Sequence, residues 1–223
     1  MTHESSGRRP PTEIGAVLFD MDGLLVDSEP VWMEAIDACC VRRGGRYEAP
    51  DARACMGRGI PFTARHLSAK YGWPLDVEAY VTEVCDDFAL RVHAAPACVG
   101  AEELLRGLRG RRPVALGSST ARPLVEAALG PRGWLPLFDA LVTGSDVERL
   151  KPAPDIYLEA ARRLGQPPER CVVFEDSPVG CEAARAAGMY VVAVPGVHTH
   201  EPPRADLVVT SLTVAAEALG LLR

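Results

Sequence analysis

From residue 98 onward, helical segments and short apolar runs alternate: AEELLRGLRG before PVALGS, ARPLVEAALG before FDALVTG, PDIYLEAARRLG before RCVVFED, and SPVGCEAARAAG before MYVVAVPG. Parallel strands need a crossover of a dozen or more residues between them, and a helix supplies it, so this rhythm predicts an α/β fold with a parallel sheet and right-handed crossovers. The runs are continuously apolar, as expected of strands covered on both faces. IGAVLFD near the start is another such run, and ADLVVT with the closing helix SLTVAAEALGLL completes the series. Between IGAVLFD and PVALGS the pattern is helical only: VWMEAIDACCVRR, PFTARHLSAKYGW and DVEAYVTEVCDDFALRV, each punctuated by Gly or Pro. A core made of residues 13–27 and 96–223 is therefore expected, with an all-helical insertion over 28–95. The first dozen residues, MTHESSGRRPPT, are polar and predict a flexible tail.

Charge and composition narrow the function. A formal net charge of −6 and a pI near 5.4 leave no basic patch suited to nucleic acid. The tail lacks the apolar centre of a signal peptide, and no apolar run approaches the roughly 20 residues that cross a bilayer. A soluble, cytoplasmic monomer with neither nucleic-acid nor membrane partner is expected. The seven cysteines show no CxxC spacing and lie mostly in apolar segments, which predicts reduced core residues.

Ligands of a parallel sheet collect at the carboxyl ends of its strands, so the residues standing there matter most. The first apolar run closes in Asp20-Met21-Asp22-Gly23. Positions two apart share a strand face, which aims both carboxylates at one spot. Such a pair repels unless a cation lies between the two or one is used protonated as an acid. PVALGS ends in Gly117-Ser118-Ser119-Thr120 and is expected to run straight into a helix, where a hydroxyl, that of Ser118, and free backbone N–H groups hold an anionic oxygen. Of the 24 Lys and Arg residues only Lys70 and Lys151 are lysines. Lys151 follows FDALVTG in a strand-end loop, where a compact ammonium suits phosphate and a neighbouring carboxylate. Lys70 is expected at the surface near a helix end. Glu175 and Asp176 close the run CVVF. Four clustered acids call for a hard divalent cation, and Mg2+ takes carboxylate, water and phosphate oxygens. Asp20 and Asp176 are assigned as direct ligands, Asp22 through its backbone carbonyl, and Glu175 in a supporting role.

Taken in order, DMDGLLVDSE, GSS, KPAPDIY and FEDS resemble the four motifs of the haloacid dehalogenase (HAD) superfamily of phosphotransferases, over Ile14 to about Val209. The helical insertion is similar to the small cap of β-phosphoglucomutase-like proteins, sugar phosphatases and phosphoglycolate phosphatases. The resemblance implies a Rossmann-like core with a cap closing over its site. It implies Asp20 as nucleophile, Asp22 as general acid and base, Ser118 and Lys151 as phosphate holders, and Asp176 as metal ligand. Gly23 and Ser119, beside these, are taken as phosphate contacts. In the cap, CMGRGIPF offers Arg58 to a hydroxyl or second phosphate, with Gly57 and Gly59 permitting close backbone approach. His198 and His200 are expected at a loop tip rather than on a metal. β-Phosphoglucomutases carry a histidine a few residues past the first motif, where this chain has Trp32. Water is therefore the expected acceptor. The function expected is an Mg2+-dependent phosphatase of a small phosphate monoester, a sugar or polyol phosphate, acting through an aspartyl phosphate. The alternatives are a phosphomutase of the β-phosphoglucomutase type and a non-catalytic phosphate-binding protein.

Overall fold

The computed structural model describes residues 3–4, 8–55, 58–196 and 203–222. Its sheet is built from β1 (His3–Glu4), β2 (Ala16–Phe19), β3 (Val114–Gly117), β4 (Ala140–Val142), β5 (Cys171–Glu175), β6 (Tyr190–Ala193) and β7 (Leu207–Val208). The spatial order is β1-β7-β6-β5-β2-β3-β4, and β2 to β7 are all parallel. Every residue of β2, β3, β5 and β6 is buried, which is why these segments read as unbroken apolar runs.

The order of connection reverses at β2. From it the chain goes outward through β3 and β4, then returns to the other side for β5, β6 and β7. A crevice opens at the carboxyl ends of the strands at such a switch point. Register decides what faces it: Phe19 is level with Leu116 on one side and Phe174 on the other, so Asp20 and Glu175 emerge together one residue on. The rings of Phe19 and Phe174 stack at 5.1 Å beneath them.

Helices α1 (Glu29–Arg42), α2 (Ala49–Cys55), α3 (Ile60–Tyr71) and α4 (Val77–Arg91) follow β2, and α5 (Ala101–Leu108), α6 (Arg122–Leu129), α7 (Asp155–Arg163), α8 (Pro178–Ala186) and α9 (Leu212–Ala218) interleave with the later strands. The chain divides into two compact units, Met1–Asp27 with Pro96–Arg223, and Ser28–Ala95. In the helical unit Trp32 of α1 stacks on Phe88 of α4, ring centroids 3.7 Å apart, over a core that includes Ile36, Leu67 and Val84. In the sheet unit one face of the strands is covered by α7 and α8 through Ile156, Tyr157, Ala160, Cys181 and Ala184.

Two segments of this fold depart from the sequence-based expectations. The tail contributes β1, antiparallel to β7 with His3 opposite Val208 and Glu4 opposite Leu207, and Arg8 donates to the carbonyls of Met189 and Gly188. An edge strand presents unpaired backbone groups, and these take up polar chain that no apolar pattern announces. The segment APDARAC forms α2. Lys70 is exposed in the last turn of α3, as expected, and there it bridges Glu48 at 2.8 Å and the buried Asp51 at 2.7 Å, while Asp51 also pairs with His66 at 2.9 Å. Gly57, His198 and His200 lie outside the described residues.

All seven cysteines are free. Burial pushes the thiols of Cys40, Cys98 and Cys171 up to about 11, which keeps them protonated and unreactive at neutral pH. No helix among the described residues is long and apolar enough to cross a membrane.

Candidate active site

Asp20 is buried at the end of β2, and its N–H is fixed by the carbonyl of Phe174 at 3.1 Å. The chain then turns tightly: Gly23 has φ +78° and donates to the Val26 carbonyl at 2.8 Å. A Cβ on Gly23 would run into the Asp176 carboxylate. Glycine is thus needed twice over, for the left-handed backbone and for the close approach of Asp176.

Lys151 brings two strand ends together. Its side chain is only 5% exposed, and its ammonium lies 2.5 Å from Asp20 Oδ1 and 2.6 Å from Glu175 Oε1. The Tyr157 hydroxyl on α7 donates to the same Glu175 oxygen at 2.6 Å, and the ammonium sits 4.8 Å from the Tyr157 ring centroid. Glu175 Oε2 accepts from the backbone N–H groups of Asp176 and Ser177 and from the Ser177 hydroxyl at 3.0 Å. Both oxygens of this fully buried carboxylate are therefore engaged. The arrangement holds Lys151 and the loop that carries Asp176. Ser177 also caps α8 by accepting the Gly180 N–H at 3.1 Å, and a Cβ on Gly180 would overlap the Glu175 carboxylate.

Asp22 faces the end of β3. Its Oδ2 accepts from the Thr120 hydroxyl at 2.7 Å, with the Ser118 hydroxyl at 3.5 Å. Ser118 Oγ in turn accepts the Thr120 N–H at 3.1 Å. The segment after β3 does not run straight into a helix. Ser118 closes a local side-chain turn, and α6 starts only at Arg122, with Ala121 as an N-cap that has no side chain to offer.

Electrostatically the pocket is short of positive charge. Burial first, and then the neighbouring Glu175 and Asp22, push the Asp20 carboxyl well above the usual range in spite of Lys151. Burial, Glu175 and Asp20 do the same to Asp176. Lys151 pays burial too, but Asp20 and Glu175 outweigh it and keep the amine protonated. Carboxylate oxygens of Asp20, Glu175 and Asp176 lie within 4.8 Å of one another. A compact all-oxygen cluster with more acid than one ammonium can neutralise fits a hard divalent cation.

Asp20, Asp22, Gly23, Ser118, Lys151, Glu175 and Asp176 thus meet at adjacent strand ends. Ser119 is beside them, but its buried hydroxyl has no partner among the described residues. Arg58 belongs to the helical unit, where its guanidinium lies over the Phe62 ring at 4.6 Å. Two contributors, Thr120 and Tyr157, were not picked out from the sequence. Thr120 is the third hydroxyl in GSST, and Tyr157 lies six residues past Lys151 in KPAPDIY.

A family model for haloacid dehalogenase-like hydrolases matches residues 14–188. The chain belongs to that family. Hexitol phosphatase B of Escherichia coli K12 is 32% identical to this hydrolase over 223 residues, 94% of this chain and 99% of the relative. A bifunctional riboflavin kinase/FMN phosphatase of Arabidopsis thaliana is 32% identical over 92% of this chain, which spans 55% of that longer protein. Among solved structures, CbbY from Rhodobacter sphaeroides in complex with phosphate superposes with a TM-score of 0.80 at 28% identity, over 89% of this chain and 94% of that one. The hydrolase thus has phosphatases of small phosphate esters among its relatives.

Proposed function

We propose that this hydrolase is an Mg2+-dependent phosphatase of small phosphate monoesters, sugar or polyol phosphates foremost, acting through an aspartyl phosphate on Asp20. The observation that carries this reading is the buried Lys151 between Asp20 and Glu175, with Asp22 two residues beyond the nucleophile. When bound, Mg2+ would be held by Asp20, Asp176 and the Asp22 carbonyl and would offset the charge between carboxylates and phosphoryl oxygens.

The protein's own groups account for the rest. Lys151 and Ser118 hold phosphoryl oxygens at the strand ends. An Asp20 carboxylate oxygen attacks phosphorus as the ester P–O bond breaks, and the electron pair of that bond leaves with the alcohol oxygen. Asp22 delivers the proton this oxygen takes up. A water molecule then attacks the phosphorus of the acyl phosphate, giving its proton to Asp22 and releasing inorganic phosphate and Asp20. Leaving alcohol and incoming water occupy the same line, so one acid–base group serves both steps.

Water rather than a second hydroxyl is taken as the acceptor because Trp32 has only an indole N–H to offer and its ring is stacked on Phe88. The test is rapid-quench turnover of labelled phosphate esters drawn from a panel of phosphorylated metabolites, with Mg2+ and with EDTA. A short-lived phosphoenzyme absent from Asp20→Asn, one phosphate released per ester, and no turnover in EDTA are expected. A phosphoenzyme stable for many seconds, with its label passed to a sugar hydroxyl, would replace the phosphatase with a mutase. Phosphate binding without turnover would leave only a binding protein.

A further inference from the structure

Thr120 is tied down at three points. Its N–H donates to Ser118 Oγ at 3.1 Å, its carbonyl accepts the Gly144 N–H at 3.0 Å, and its hydroxyl donates to Asp22 Oδ2 at 2.7 Å. Gly144 is itself packed so closely that a Cβ there would overlap the Ser119 carbonyl, so this loop lies directly against the backbone that follows β4. A rigid donor therefore faces one named oxygen of Asp22.

This matters to an acid that must release its proton from a defined place. A carboxyl torsion is broad and roughly two-fold, so a carboxyl group left alone presents either oxygen to the substrate. An oxygen that already accepts a short O–H bond is the poorer seat for the acid's own proton. The proton is then left on the other oxygen, Oδ1. Holding a reacting group within a few tenths of an ångström is worth orders of magnitude in rate.

We propose that Thr120 is a positioning residue for Asp22, its hydroxyl fixing Oδ1 as the oxygen that passes a proton to the leaving alcohol and takes one back from water. This rests on the acid–base role given to Asp22 above. In the step concerned, the Asp22 Oδ1–H bond breaks and an O–H bond forms on the leaving oxygen as the ester P–O bond opens. Thr120 gains and loses nothing.

The test compares a polyol phosphate, whose alkoxide needs a proton, with p-nitrophenyl phosphate, whose leaving group needs little help. Wild type, Thr120→Val, Thr120→Ser and Asp22→Asn are assayed on both esters in saturating Mg2+. Valine keeps the backbone N–H that serves Ser118 and removes only the hydroxyl. Followed by rapid quench as alcohol or phenol release in the first turnover, before the water step common to both esters, Thr120→Val is expected to lose about 10- to 100-fold in rate on the polyol phosphate, with half-saturation within about 3-fold and the aryl ester nearly unchanged, a fraction of what general acid–base help supplies. Thr120→Ser should restore the alkyl rate to within about 3-fold of wild type. Equal losses on both esters, or no loss on either, while Asp22→Asn remains selective for the alkyl ester, overturn the role of Thr120 alone. An Asp22→Asn protein equally impaired on both esters overturns the acid–base assignment of Asp22 and the Thr120 proposal with it.

Discussion

Glu175 offers five donors a fixed place, and removing any one of them has a definite consequence. Tyr157→Phe takes away a hydroxyl and leaves the aromatic face under Lys151 in place. Hydrogen bonds to charged groups contribute about 1.5–3 kcal/mol, so urea unfolding of Tyr157→Phe should show a loss in that range. An unchanged midpoint would mean that Tyr157 only fills space. The charge itself cannot be supplied by Arg. A guanidinium fork is too wide for a pocket in which one nitrogen sits between two carboxylates at 2.5 and 2.6 Å. This chain, which uses Arg for nearly every other positive charge, has kept lysine there.

Elements were legible in proportion to how much of their pattern is local. β2, β3, β5 and β6 are unbroken apolar runs with helices between them, and that suffices for a parallel sheet. α2 has only seven residues, too few to display a helical period, and Pro50 reads as a breaker although it sits in the first turn, where proline is tolerated. β1 depends on backbone pairing with β7 and has no side-chain signature. In the same way Asp20, Lys151 and Asp176 stand out at strand ends. The reach of Tyr157 and Thr120 is decided by how α7 and the loop after β3 pack, which no spacing encodes. α8 supplies the test at this scale. Gly180 sits in its first turn against the Glu175 carboxylate, so Gly180→Ala must displace either the helix or the acid. The overlap is with a buried ionic group rather than a flexible tip. Alanine there, normally favoured over glycine in a helix, is instead expected to destabilise by about 1–3 kcal/mol, as overpacking does. A thermal melt in which Gly180→Ala matches or exceeds wild type would contradict this.

Across the whole molecule, the two units keep their buried acids in different ways. In the helical unit burial works to raise Asp51, but hydrogen bonds from Lys70, His66 and the Glu48 N–H prevail and hold it at about 2, below its ordinary 3.8. A folded value below the unfolded one contributes stability that is complete above about pH 5 and is lost as pH falls through 3.8 toward 2. The lost part amounts to at most about 2 kcal/mol. The difference in stability between wild type and Asp51→Asn, followed by denaturant unfolding from pH 7 to pH 2, should be level at first and shrink below about pH 4. A difference independent of pH would place the value of Asp51 elsewhere.

The position of β2 also bears on how the chain is made. It is the first of the six parallel strands to leave the ribosome, yet it lies at the middle of the sheet, and one of its two partners, β5, begins about 150 residues later. At roughly 5–20 residues per second, the wholly apolar AVLF ladder waits on the order of 10–30 seconds before its second edge can pair. Asp20 at the end of that strand acquires its lysine and its acidic neighbours only when that wait is over. A nascent chain cut short before Cys171 would carry an exposed, sticky strand and lack both Glu175 and Asp176.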